Sequence, residues 1–152
     1  MADNRWIIPF FGAFLAIVAI CTPVFTLPII PLGRITVWMW GSFIDDTGIG
    51  LFELSGDMVF GGIIVMIIAI VGMLLTFFGS FKLKKREVEG KTLKLMFLIG
   101  GLLIAGSGVL YIVQVITTDS LATIIPFIVY NFAIYGLMVA GVIVIISIVL
   151  TF

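Results

Sequence analysis

The chain has 152 residues, of which 62% are hydrophobic and 11% charged, and its eight basic and eight acidic side chains balance. A soluble globular domain is excluded, because that class averages about 25% charged residues and keeps its apolar share near about half. With no histidine and one cysteine, few side chains suit metal ligation, proton transfer at neutral pH or thiol redox work, so no enzyme, catalytic residue, cofactor or metal site is expected.

A helix needs about 20 mostly apolar residues to cross the hydrocarbon of a bilayer. The first stretch that qualifies is 6 to 27. Its leader "MADNR" has no net positive charge and the apolar run exceeds the core of a signal peptide, so the segment is expected to be retained. Gly12 and Ala16, four apart, form a small-residue face, and Cys21 is expected as a small buried hydrophobe. Pro23, Pro28 and Pro31 crowd the far end, which suits a kinked helix that leaves the membrane as an extended segment.

Residues 28 to 57 form the first outer loop. In "ITVWMW" Ile35, Val37 and Met39 alternate with Thr36, Trp38 and Trp40, a period of two that reads as strand. "DDTG" at 45 to 48 has turn chemistry, and "IGLFEL" resumes extended character, so a β-hairpin of 35 to 43 with 49 to 54 is expected. Trp38 and Trp40 then either anchor the hairpin at headgroup level or contact a partner protein. Asp45 and Asp46 belong to the solvated turn. A divalent cation would want more oxygen ligands than this acidic pair supplies, although Glu53 across the hairpin could contribute.

The second span is expected at 58 to 81, followed by the basic loop 82 to 94, "KLKKREVEGKTLK". It holds Lys82, Lys84, Lys85, Arg86, Lys91 and Lys94 against Glu87 and Glu89, a balance of +4, whereas residues 33 to 57 carry −3. The positive-inside bias places this loop and both termini in the cytoplasm and the loops 28 to 57 and 117 to 123 outside. Anionic lipid headgroups are a secondary partner for the same charges.

The third span, 95 to 116, places Gly101, Ala105 and Gly108 near one face and Gln114 near its outer end. The fourth, 124 to 151, has Pro126 in its first turn, Asn131 a little further on, and Gly136 and Ala140 four apart. Small residues at this spacing serve either a compact bundle within one chain or a seam between copies, and both remain open. The span centres hold no ionisable side chain, which argues against a proton relay or an ion path through one copy. Gln114 and Asn131 are expected to make interhelical hydrogen bonds. The whole chain, 1 to 152, is thus expected as one all-α, four-transmembrane-helix bundle with a small extracellular β-hairpin in its first outer loop.

This arrangement resembles the claudin-like four-transmembrane family, through "VWMWGSF" at 37 to 43, the glycine-rich "FLIGGLLIAGSGVLYIV" at 97 to 113, and the topology as a whole. The resemblance implies that Trp40 holds the outer sheet to the top of the bundle, and it implies adhesion or lateral polymerisation. The cysteine pair of that family's first outer loop is missing, the loop is short, and no cytoplasmic tail is expected after the fourth span. The functional expectation is a non-catalytic membrane protein of assembly or adhesion, whose partners are lipids, other membrane proteins or copies of itself. Two alternatives stand beside it. One is an accessory subunit of a respiratory, oxidase or transport complex; the other is an oligomeric cation channel with Asp45, Asp46, Glu53 and Asp57 at its mouth. Nucleic-acid binding is not supported by one short juxtamembrane basic run, and no small-molecule substrate is identified.

Overall fold

The computed structural model describes residues 4–29, 33–45, 48–51, 57–85, 90–117 and 129–151. Asp46, Glu53, Arg86, Pro31, Pro126 and the loop 118–123 lie outside the described residues. Four helices carry the fold: α1 (Ile7–Cys21), entered through a 3-10 turn at Asn4–Trp6, α2 (Asp57–Lys85), α3 (Gly90–Thr117) and α4 (Phe132–Thr151). Each, α1 being taken together with its 3-10 turn as Asn4–Cys21, is long and apolar enough to cross a bilayer, so the chain is a multi-pass integral membrane protein. Sequence neighbours pack together, and α1 also packs on α4, so the helices form a ring.

Backbones approach closely where the chain has glycine. A Cβ on Gly12 would stand 2.7 Å from Val144 Cγ2, and one on Gly136 would stand 2.8 Å from Ala19 Cβ, so α1 and α4 meet through small residues. Between α3 and α4, a Cβ on Gly101 would stand 2.9 Å from the Gly141 carbonyl oxygen, and one on Gly108 would stand 3.0 Å from that of Ile134. The seam between α1 and α2 is built differently. Phe10 meets Phe77 and Phe81 edge-on at centroid distances of 5.2 and 6.0 Å, and Trp6 at 5.6 Å.

The first expected span is too long by six residues. α1 ends at Cys21, because Pro23 has no N–H and pushes the residue before it out of the helical region: Thr22 has φ −92° and ψ 159°. The freed Ala19 carbonyl accepts both the Thr22 backbone N–H at 3.2 Å and its hydroxyl at 2.8 Å. Beyond Val24 the chain continues as strand. Similarly, 129 and 130, expected inside the fourth span, are strand residues, and α4 begins at Phe132. α2 and α3 extend past their expected inner ends, so five of the six basic residues stand on helix, with 86–89 between them.

The outer element is larger than one hairpin. Strands β1 (Phe25–Ile29), β2 (Gly33–Val37), β3 (Ser42–Asp45), β4 (Gly48–Leu51) and β5 (Val129–Tyr130) form one antiparallel sheet in the order β4-β3-β2-β1-β5. The expected strand 35 to 43 is interrupted at 38–41, where Gly41 has φ +86° and the chain reverses. Thus β2 pairs with β3, matching Val37 to Phe43, and of the expected partner segment 49 to 54 the described residues, 49–51, lie in β4, which pairs with β3 among the described strands; 52–54 lie outside the described residues. β5, from the far side of the sequence, pairs with β1 through Phe25 and Tyr130.

Candidate functional site

The sheet presents two faces, as the period of a strand requires. Phe25 and Val37, with Val24 and Met39 beside them, are buried in the same core cluster as the helix side chains, and Leu27, Ile35 and Phe43 pack against it. On the other face the register brings Thr26, Thr36, Ile44 and Ile49 into one row across four strands. Ile44 is 41% exposed and Ile49 81%. β4, at one edge of the sheet, carries Ile49 between two glycines.

The tryptophans occupy the turn between β2 and β3 rather than a strand. The Trp38 backbone N–H donates to the Ser42 carbonyl at 2.9 Å and the Gly41 N–H to the Trp38 carbonyl at 3.0 Å, which closes the turn. The Trp38 indole N–H donates to the Cys21 carbonyl at 3.2 Å, one of the acceptors left over where α1 ends. Trp40 is half-buried against the core, its ring 6.4 Å from that of Trp38. Between them Met39 is buried, and its carbonyl lies so close to Gly62 of α2 that no Cβ fits there. The two rings are therefore tied to the top of α1 and to the bundle, and alternation along a strand has no part in it.

Asp45 accepts the Gly48 N–H on Oδ1 at 3.0 Å, and Gly48 takes φ +141°, so this carboxylate is engaged in the β3–β4 turn. Phe43 folds across Gly50, leaving no room for a side chain there. Phe43, Asp45, Gly48, Ile49 and Gly50 line a shallow open hollow at the tip.

The expected interhelical polar residues part company. Gln114 of α3 lies against Gly61 of α2, a helix-to-helix position. Asn131 does not bridge helices. Its side-chain amide donates to Thr26 Oγ1 at 2.9 Å and its backbone N–H to the Val24 carbonyl at 2.8 Å, so it links the start of α4 to β1. The short strand β5 ends one residue before it and brings it beside β1. Cys21, expected to be buried, is exposed: it lies beyond Phe14 and Ile17 along the outward face of α1.

Gly12, Ala16, Gly136 and Ala140 are buried on α1 and α4, and Gly101 and Gly108 on α3. Ala105 lies against Gly141. These faces are filled by contacts within the chain. At the other end of the bundle, Lys82, Lys84 and Lys85 end α2, while Lys91 and Lys94 begin α3. Lys84 Nζ sits 4.5 Å above the Trp6 ring, and Arg5 Nη1 donates to the Thr151 carbonyl at 3.1 Å, a cation at a helix C-terminus. Sequence reasoning misses Arg5 and Trp6, although a tryptophan flanking an apolar run is a boundary signal. Thr26 gives no local signal, since its partner Asn131 is 105 residues away.

No family model matches the chain, and no curated protein matches it.

Proposed function

We propose that this integral membrane protein is a non-catalytic assembly protein, claudin-like in arrangement, whose outer sheet contacts copies of itself or other membrane proteins. The observation that carries the reading is the outward row ending in Ile44 and Ile49, two apolar side chains on a sheet whose opposite face is already spent on the core. An edge strand with an exposed β-branched residue and no charge offers both a pairing edge and an apolar contact. Trp40, packed between turn and bundle, matches the role that the resemblance implies. With the positive-inside bias, the basic end and both termini face the cytoplasm and the sheet faces outward. The small-residue faces are used within the chain, which moves self-association from the helices to the sheet.

Blue-native electrophoresis after mild solubilisation tests this. A ladder of homo-oligomers that collapses in Ile49→Asp, with the melting temperature unchanged, is the expected result. A fixed set of heterologous partners would favour an accessory subunit instead. A ladder indifferent to Ile49→Asp would remove the sheet from the contact.

A further inference from the structure

The sequence spreads positive charge over six side chains of 82–94, and the structure separates them. The five described lysines of that run are all exposed, three at the end of α2 and two at the start of α3. Among the described residues Lys84 alone stands over an aromatic ring, its Nζ 4.5 Å from the centre of half-buried Trp6. A ring face attracts an ammonium through its quadrupole without cancelling its charge. Lys84 has no carboxylate partner among the described residues, so its charge and the N–H donors turned away from the ring stay open to an anion.

The ring also fixes where that charge lies. Trp6 leads into α1, and an indole at the start of an apolar span marks the headgroup boundary. Directly beneath it the seam between α1 and α2 is aromatic, since Trp6 meets Phe10, and Phe10 meets Phe77 and Phe81. Phe81 takes part in this seam and is still 48% exposed, so it borders the seam on the lipid side. Phe14, one turn beyond Phe10, is 51% exposed. A cation held at headgroup level thus stands above an apolar, ring-edged groove. Acyl chains can use that groove and a free phosphate ion cannot.

We propose that the α1–α2 seam at the basic end is a binding site for one anionic phospholipid, with its phosphate on Lys84 and an acyl chain along Phe81 and Phe14. The site selects by net charge. Phosphatidylcholine brings a cation of its own to Lys84, whereas phosphatidylglycerol brings only the anion. The site lies at the opposite end of the bundle from the sheet, so it does not depend on the contact role of Ile49.

Trp6 fluorescence tests this in protein bearing Trp38→Phe and Trp40→Phe, reconstituted in mixed vesicles of phosphatidylglycerol and phosphatidylcholine with bromine high on the acyl chains of one lipid or the other. At equal mole fractions, brominated phosphatidylglycerol should quench Trp6 severalfold better than brominated phosphatidylcholine. Lys84→Gln should abolish that preference and Lys84→Arg should keep it. Lys91→Gln, which removes the same charge from α3, should also keep it. Each preference is a ratio within one protein, so a change in Trp6 emission between variants cancels. Equal quenching by the two lipids in the parent protein would overturn the proposal, and so would a preference that survives Lys84→Gln. A preference lost as readily in Lys91→Gln would overturn it too, because the diffuse charge of the basic end would then be the cause. If the doubly substituted protein fails to fold, native mass spectrometry of the otherwise unaltered chain with added phosphatidylglycerol gives a second measurement. One lipid should be retained by the parent and by Lys91→Gln and none by Lys84→Gln, and equal retention by all three would overturn the proposal.

Discussion

α4 meets its two neighbours through glycine and alanine, whereas α1 meets α2 through aromatic rings, and the two seams fail in opposite ways. In lipid, helix association draws on close packing rather than on removal of apolar surface from water. At the α3–α4 seam that packing is backbone against backbone, so any added atom collides. At the α1–α2 seam, Phe10 reaches out edge-on to Phe77 and Phe81, so a lost ring leaves a gap.

The largest effect should come from Gly141→Val, since a Cβ at Gly141 would stand 2.5 Å from both the Gly101 carbonyl oxygen and the Ala105 nitrogen. We expect a loss of about 3 kcal/mol or more, the upper end for overpacking, read by denaturant titration in mixed micelles. An unchanged midpoint would mean that the seam opens freely. Phe10→Ala should come next, at about 2 kcal/mol for three edge-on ring contacts, and filling it back with Phe10→Leu should recover part of the loss. Should Phe10→Ala instead prove as harmful as Gly141→Val, the contrast between seams would be wrong.

Smaller effects belong to the junctions. Asn131→Ala should cost about 1 kcal/mol and speed amide exchange in β1 and β5 while leaving α3 protected, because it cuts the side-chain tie to Thr26. Uniform loss of protection would place Asn131 within the bundle's own packing instead. Lys84→Gln should cost least, about 0.5 kcal/mol, with a change in Trp6 fluorescence as its clearer sign.

The helices are legible in the sequence because spans of about 20 apolar residues have few other readings. Their ends at the sheet are not. In "TPVFTLPII" five of nine residues are still large and apolar, so hydropathy stays positive past Thr22 while the helix does not continue. Pro23 carries the stop signal, but a proline inside an apolar run equally suits a kink. The turn at 38–41 hides behind an alternation that fits a strand, with Gly41 as its one overt mark. Asn131, a residue type favoured just before a helix, marks the start of α4 more closely than Pro126 suggests. β5 is illegible, since two residues become a strand only by register with β1, a hundred positions away. The outer site is legible as chemistry, in its tryptophans and the DDTG turn, but the placing of each ring depends on the turn.

The contact between the first and last helices has a bearing on how the molecule is made. α1 enters the membrane long before α4 is synthesised, and until then Gly12 and Ala16 face lipid with their seam unfilled. The same is true of β1, whose edge stays unpaired until Val129 and Tyr130 emerge. Both the ring of helices and the sheet are therefore closed by one late segment, 129–151, so the order of synthesis leaves an open intermediate that a membrane insertase or chaperone has time to shield.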